Sequence, residues 1–229
     1  MNSNVIIALD FPSKEEMFSF LEPFKGLNPY VKVGMEMFYK EGPSVVKELK
    51  EMGFKIFLDL KLCDIPNTVR QAMASLSPLG VDLVNLHAFG GIEMMKKARE
   101  GLDTTPQGKK TKLIAVTVLT SLTDEILSEE LLIKEKVSQV VKKYALNAKE
   151  AGLDGVVCSA LEAPLIKELG LISVTPGIRL AGDNANDQKR VATPSMAKEL
   201  GSTYIVVGRS ITKASDPVKA YLECVKEFE

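Results

Sequence analysis

The stretch Lys55-Ile56-Phe57-Leu58-Asp59-Leu60-Lys61-Leu62-Cys63-Asp64-Ile65-Pro66-Asn67-Thr68 opens as a buried strand and closes as the approach to a helix. Lys55 to Leu60 is a short apolar run of strand-forming residues. An amphipathic stretch, Pro43 to Met52, precedes it and another, Thr68 to Ser77, follows. Gly53 and Gly80 sit just past these two, where a helix commonly ends on a left-handed residue. The strand also carries Asp59 and Lys61 two residues apart, a spacing that points both side chains to one face. Opposite charges on a core strand are tolerated only as a pair, so this strand end is a candidate reactive site.

Working outward, the same unit recurs along the chain. Further strand-like runs are Val5 to Leu9, Tyr30 to Val33, Leu83 to Leu86, Leu113 to Leu119, Gly155 to Val157, Leu171 to Val174 and Tyr204 to Val207. Helical patterns alternate with them, among them Ser13 to Lys25, Ile92 to Leu102, Glu135 to Ala151 and Ser195 to Leu200. Ser13 with Glu16 forms a capping box. Alternating β and α units imply parallel strands joined by right-handed crossovers. Eight such units in 229 residues predict a (β/α)8 TIM barrel, a single α/β domain over residues 1–229, with a doubly wound open sheet as the alternative. In a barrel of this kind the active site lies at the C-terminal ends of the strands. Two connections are long: Leu119 to Lys134, a surface excursion with its own helical turn or a cover for that face, and the polar stretch Arg179 to Thr193, which has the length of a binding loop.

Composition narrows the function classes. Lys and Arg (29) balance Asp and Glu (30), so no overall field draws the chain to nucleic acid or to an anionic membrane. No apolar run reaches the ~18 residues that cross a bilayer, and the N-terminus has no signal-peptide pattern. Cys63, Cys158 and Cys224 form no CxxC pair and read as small buried thiols, and with a single His there is no zinc-ligand set. Reduced thiols fit a cytoplasmic protein.

Asp10 ends the first strand, Lys32 lies in the second, and Asp59 and Lys61 end the third. In a barrel, three neighbouring strands gather these four into a patch of alternating sign, with Asp64 just beyond. Asp59-Leu60-Lys61-Leu62-Cys63-Asp64-Ile65-Pro66-Asn67-Thr68 resembles the D-x-K-x-x-D-[IV]-P-x-T signature of the orotidine 5′-phosphate decarboxylase family. Ala8-Leu9-Asp10, Val31-Lys32-Val33-Gly34, Val116 to Ser121, Thr175 to Arg179 and Val206 to Ile211 extend the resemblance over nearly the whole chain.

The resemblance implies decarboxylation of orotidine monophosphate to UMP without metal or cofactor. It assigns proton donation to C6 to Lys61, places Asp59 against the substrate carboxylate, and gives Lys32 and Asp10 the ribose contacts and the network. It carries Asp64, Ile65 and Thr68 into the active site of a partner subunit, which implies a homodimer with shared sites. It puts Thr120 at the pyrimidine and Pro176, Arg179, Gln188, Gly208 and Arg209 at the substrate, the last two on the phosphate. Barrels often bind phosphate after strands seven and eight, which gives Gly208-Arg209-Ser210 independent support. Three residues keep simpler readings: Thr120 and Ser121 could cap the next helical turn, and His87 reads as a structural histidine. The nearest rival is a Mg²⁺-dependent phosphosugar enzyme sharing the D-x-K motif. Lys32 and the completed motif favour the metal-free family.

Overall fold

Alternation along the strands sorts their side chains onto two faces, and this sorting positions everything that follows. The computed structural model describes residues 3–180 and 191–229. Eight strands run parallel in chain order: β1 (Val5–Ala8), β2 (Tyr30–Gly34), β3 (Lys55–Leu62), β4 (Leu83–His87), β5 (Lys112–Val116), β6 (Gly155–Val157), β7 (Ile172–Ile178) and β8 (Tyr204–Val207). β8 pairs with β1, from Val5↔Ile205 to Ile7↔Val207, so the sheet closes into a barrel rather than remaining open.

Ile7, Leu9, Val31, Val33, Ile56, Leu58 and their counterparts face outward into a layer shared with the helices. The alternate residues, Ile6, Ala8, Tyr30, Phe57, Leu83, Ile114, Val174 and Val206, form a separate apolar cluster that fills the barrel. One step of two further along the inward face stand Asp10, Lys32, Asp59, Asn85, Val116, Pro176 and Gly208. The floor of the site is thus apolar core, and its charged layer is the next rung of the same alternation.

The outer ring comprises α1 (Lys14–Leu21), α2 (Met35–Glu41), α3 (Pro43–Glu51), α4 (Pro66–Leu76), α5 (Gly91–Leu102), α6 (Asp124–Glu129), α7 (Val137–Glu150), α8 (Ala163–Glu168), α9 (Pro194–Glu199), α10 (Arg209–Thr212) and α11 (Pro217–Phe228). Ser13 caps α1 by accepting the Glu16 N–H at 3.2 Å. The α-helix stops at Leu21, short of the expected Lys25, and tightens to a 3₁₀ turn over Glu22–Phe24 that contains Pro23. α4 begins at Pro66, since proline suits the first helical position, where an N–H has no intrahelical partner. α4 and α5 pack so closely that a Cβ on Gly101 would strike the backbone carbonyl of Arg70.

Six strands depart from their expected limits, β1, β2 and β4 by a single residue and β3, β5 and β7 by more. β5 ends at Val116, not Leu119, and just beyond it the Thr117 N–H and hydroxyl both donate to the Val157 carbonyl of β6, at 3.2 and 2.9 Å. β7 runs on to Ile178, so Pro176-Gly177 lies inside the strand instead of after it. Proline offers no N–H and Gly177 takes φ 78, and there the ladder to β8 shifts register, as at a bulge. β3 runs to Leu62 and carries a bulge of its own. Cys63, just beyond, is exposed, unlike the buried Cys158 and Cys224, because the chain has left the barrel wall there.

Candidate active site

The bulge in β3 is the local event that builds the site. Leu58 pairs with Val84 and Leu62 with Leu86, so β3 carries extra residues against a shorter span of β4. Lys61 absorbs the difference by adopting φ 51, a left-handed conformation that non-glycine residues rarely take. Asp59 and Lys61 do meet as the sequence spacing suggests, with Lys61 Nζ 2.6 Å from Asp59 Oδ1.

Lys32 joins the pair from β2. Its Nζ lies 3.3 Å from Asp59 Oδ2 and 3.1 Å from Asp10 Oδ1. The result is one chain of alternating sign, Asp10, Lys32, Asp59, Lys61. Burial pushes the Asp59 carboxyl up, but the charges of Lys32 and Lys61 and hydrogen bonds from Lys61 and Asn85 outweigh it, so the group stays below the usual carboxylate range. Burial likewise pushes the Lys32 ammonium down, and Asp59 and Asp10 outweigh that, leaving it above the usual lysine value. Lys32 and Asp59 therefore remain a charged pair at neutral pH.

These four residues line a cavity of about 530 Å³ at the barrel mouth. Ala8, Phe57, Val116, Val118, Val157, Val174 and Val206 supply an apolar floor and wall. Pro176, Gly177, Arg179, Gly208 and Arg209 line the β7–β8 side, and Thr120 the β5 side. A smaller cavity of about 180 Å³ shares Asp10, Lys32, Asp59 and Lys61 and is bordered also by Leu9, Phe11, Gly34, Met35, Glu36 and Met37.

The expected residues thus divide into groups. Asp10, Lys32, Asp59, Lys61, Thr120, Pro176, Arg179, Gly208 and Arg209 come together around one cavity. Asp64, Ile65 and Thr68 are exposed and stand outside its lining; the Asp64 carboxylate accepts the Ile65 N–H at 2.6 Å as α4 begins. Gln188 lies outside the described residues. Thr120 does not cap the next helix, because Thr123 does so by accepting the Ile126 N–H at 3.3 Å. Of the insertion, only Leu119 and Thr120 line the cavity. His87 is half-buried and outside the lining; burial first, and the Lys61 charge second, hold its ring below the ordinary histidine value.

Three polar residues escaped the sequence reading. Thr212 and Lys213 line the cavity from α10 and just after it. They fall one helical turn after Gly208 and Arg209, so the four-residue spacing was the available signal. Asn85, fully buried on β4, bonds to both Asp59 and Lys61. Its signal was a polar residue inside the apolar run Leu83-Val84-Asn85-Leu86.

Residues 3–224 match the family described as "Orotidine 5'-phosphate decarboxylase / HUMPS family". The chain is 55% identical to the orotidine 5′-phosphate decarboxylase of Bacillus cereus strain Q1, over 100% of this chain and 98% of that protein. Among solved structures, the orotidine 5′-phosphate decarboxylase of Lactobacillus acidophilus superposes with a TM-score of 0.87 at 44% identity, covering 100% of both chains. An uncharacterized conserved protein from Geobacillus kaustophilus gives the same TM-score, 0.87, at 50% identity over 98% of this chain and 100% of that one.

Proposed function

The chain belongs to the orotidine 5′-phosphate decarboxylase / HUMPS family, and we propose that this carboxy-lyase converts orotidine 5′-phosphate to UMP and carbon dioxide without a cofactor, through its Asp/Lys network. The observation that carries the reading is the unbroken chain Asp10–Lys32–Asp59–Lys61 along one wall of the mouth cavity. A site that only bound phosphate would gain nothing from two buried carboxylate–ammonium contacts.

In the proposed reaction the bond from C6 of the pyrimidine to its carboxylate breaks, and carbon dioxide leaves. The electron pair stays on C6 with no cofactor ring to receive it. Lys61 offers a cation beside that carbon, its position fixed in advance by Asp59, so no reorganisation is needed as charge develops. The Lys61 ammonium then gives its proton to C6, completing UMP, and the neutral amine regains a proton from solvent. Asp59 stands against the substrate carboxylate, and that repulsion is relieved as carbon dioxide departs. Lys32 keeps Asp59 ionised and, with Asp10, contacts the ribose hydroxyls. The apolar wall accepts the pyrimidine, with Thr120 at its polar edge.

The phosphate is proposed to lie on the β7–β8 side, against Gly208 and Arg209, with Pro176 and Arg179 nearby. Gln188 is assigned to the same end on resemblance alone. Grip on this remote group lowers the barrier at C6 by holding the ring against Lys61.

We also propose that the working unit is a homodimer in which Asp64, Ile65 and Thr68 complete the partner's site. Three facts support it: these residues do not line their own chain's cavity, Ile65 is 68% exposed, and Phe89 is 71% exposed. Tyr39, at 68%, belongs to the same neighbourhood, because α2, α4 and the turn holding Phe89 all follow adjacent strands β2, β3 and β4. Exposed apolar side chains gathered this way mark an association surface. The deciding experiment adds metal-stripped protein to orotidine 5′-phosphate in excess chelator and follows loss of substrate absorbance. Turnover is expected; a strict Mg²⁺ requirement would refute the cofactor-free reading.

A further inference from the structure

We infer that Asn85 is a positioning residue for the reaction: its carboxamide takes the place of the ladder hydrogen bonds that the β3 bulge gives up, and so holds Lys61 and Asp59 in register. The inference rests on the decarboxylase reading above and adds to it a residue outside the charged network.

The bulge leaves β3 out of step with β4 between Leu58 and Leu62, and Asn85 lies on β4 between their partners Val84 and Leu86. Its side chain faces inward with Leu83 and is wholly buried. Asn85 Oδ1 accepts the Lys61 backbone N–H at 2.8 Å, and Asn85 Nδ2 donates to Asp59 Oδ1 at 2.6 Å. The partners dictate which way the amide points, because an N–H needs an acceptor and a carboxylate needs a donor. One carboxamide therefore supplies both halves of a peptide group, at the point where the real backbone is displaced. Lys61 holds φ 51 there, a conformation that persists only where its surroundings over-determine it. The same Asp59 Oδ1 receives Lys61 Nζ, so Asn85 orients the carboxylate that in turn orients the ammonium.

No apolar side chain can do this, and no isosteric one but an acid can imitate it. In Asn85→Asp the protonated carboxyl donates to Asp59 as the amide does. Ionised, it confronts Asp59, since two carboxylates that close do not both ionise readily. The charged or titratable groups near it are Asp59 and Lys61 on β3, with Lys32 beyond Asp59, and His87 on its own strand. Across the barrel wall, β5 offers only Ile114, Ala115 and Val116 at this level.

The test compares the intact enzyme with Asn85→Ala and Asn85→Asp, each measured per folded molecule. Asn85→Ala is expected to lower kcat about 100-fold while UMP affinity stays within about threefold, the pattern of a displaced reacting group. Asn85→Asp is expected to regain at least about tenfold in kcat relative to wild type between pH 8 and pH 5. A kcat for Asn85→Ala within twofold of wild type, UMP affinity lost in step with kcat, or a pH-independent Asn85→Asp ratio would each overturn the inference. If Asn85→Ala does not fold, Asn85→Leu, of similar volume but with neither donor nor acceptor, takes its place under the same criteria. The Asp59 carboxyl is also titrated by ¹³C NMR in unliganded protein, where loss of the Asn85 donor must raise its pKa. That arm needs no turnover, so an inactive wild type strikes the decarboxylase reading while an unmoved Asp59 strikes this one.

Discussion

Lys61 carries two burdens that a surface lysine does not: a left-handed backbone, and an ammonium 2.6 Å from a buried carboxylate. In the proposed reaction both serve to hold one cation at one place before the substrate arrives. Lys61→Ala is accordingly expected to cut turnover by at least ~10⁴-fold, since proton donor and preset charge disappear together. UMP binding should stay within about tenfold, because the proposed ribose and phosphate contacts are made by other residues. Near-normal turnover would remove Lys61 from the donor role. Arg209→Ala should act the other way, weakening apparent substrate affinity by about 10- to 100-fold, the value of a charge-assisted hydrogen bond or two. The direction of the Asp59 shift also makes a stability prediction. Its folded-state value lies below the unfolded one, so its contribution is present above the unfolded value of about 3.9 and is lost as pH falls through the folded value. Lys32 lies above its unfolded value, so its contribution is complete below about pH 10.4 and is lost as pH rises through the folded value. The stability difference between wild type and Asp59→Asn, followed by urea unfolding, should therefore shrink as pH falls below about 4 and shrink again as pH rises above about 10.4. A difference that persists unchanged below about pH 4 would contradict the paired state.

At the scale of elements, the strands serve two masters. Their outward residues are ordinary helix-facing core, and β-branched and leucine side chains mark them in the sequence without ambiguity. The inward residues are apolar core at the bottom and a charged cavity lining at the top, which is why charged and apolar residues alternate within Phe57-Leu58-Asp59-Leu60-Lys61. The bulges in β3 and β7 were not legible. A bulge is a compromise between two strands, and neither strand's sequence states it alone. Cys63 was misjudged for the same reason: its neighbours are apolar, but the strand has already turned away from the core. The helix layer has a close point of its own at Gly101, which lets α5 rest on the Arg70 carbonyl of α4. Gly101→Ala must push the two helices apart, at a cost of about 1–3 kcal/mol, somewhat offset by alanine's better helix propensity. Thermal melting at unchanged kcat is the check, and a variant as stable as wild type would show that the helices separate freely.

For the whole molecule, the proposed sharing of sites gives a prediction that single chains cannot satisfy. Mixing an Asp64→Ala variant with a Lys61→Ala variant should restore activity toward about a quarter of the wild-type level, because random pairing makes half the dimers hybrid and each hybrid owns one intact site. Verified heterodimers with no activity would count against sharing. The chain alone determined the class of fold, since eight alternations of strand and helix have few closed solutions, and it determined the identity of the charged residues, since short-range spacing places them at strand ends. What it did not contain was the distances among them. The position of Lys32 between two carboxylates, the twist at Lys61 and the carboxamide of Asn85 beneath them depend on how far strands shift past one another. Register is set by packing around the entire barrel, a sum over contacts remote in sequence, and only the closed structure performs that sum.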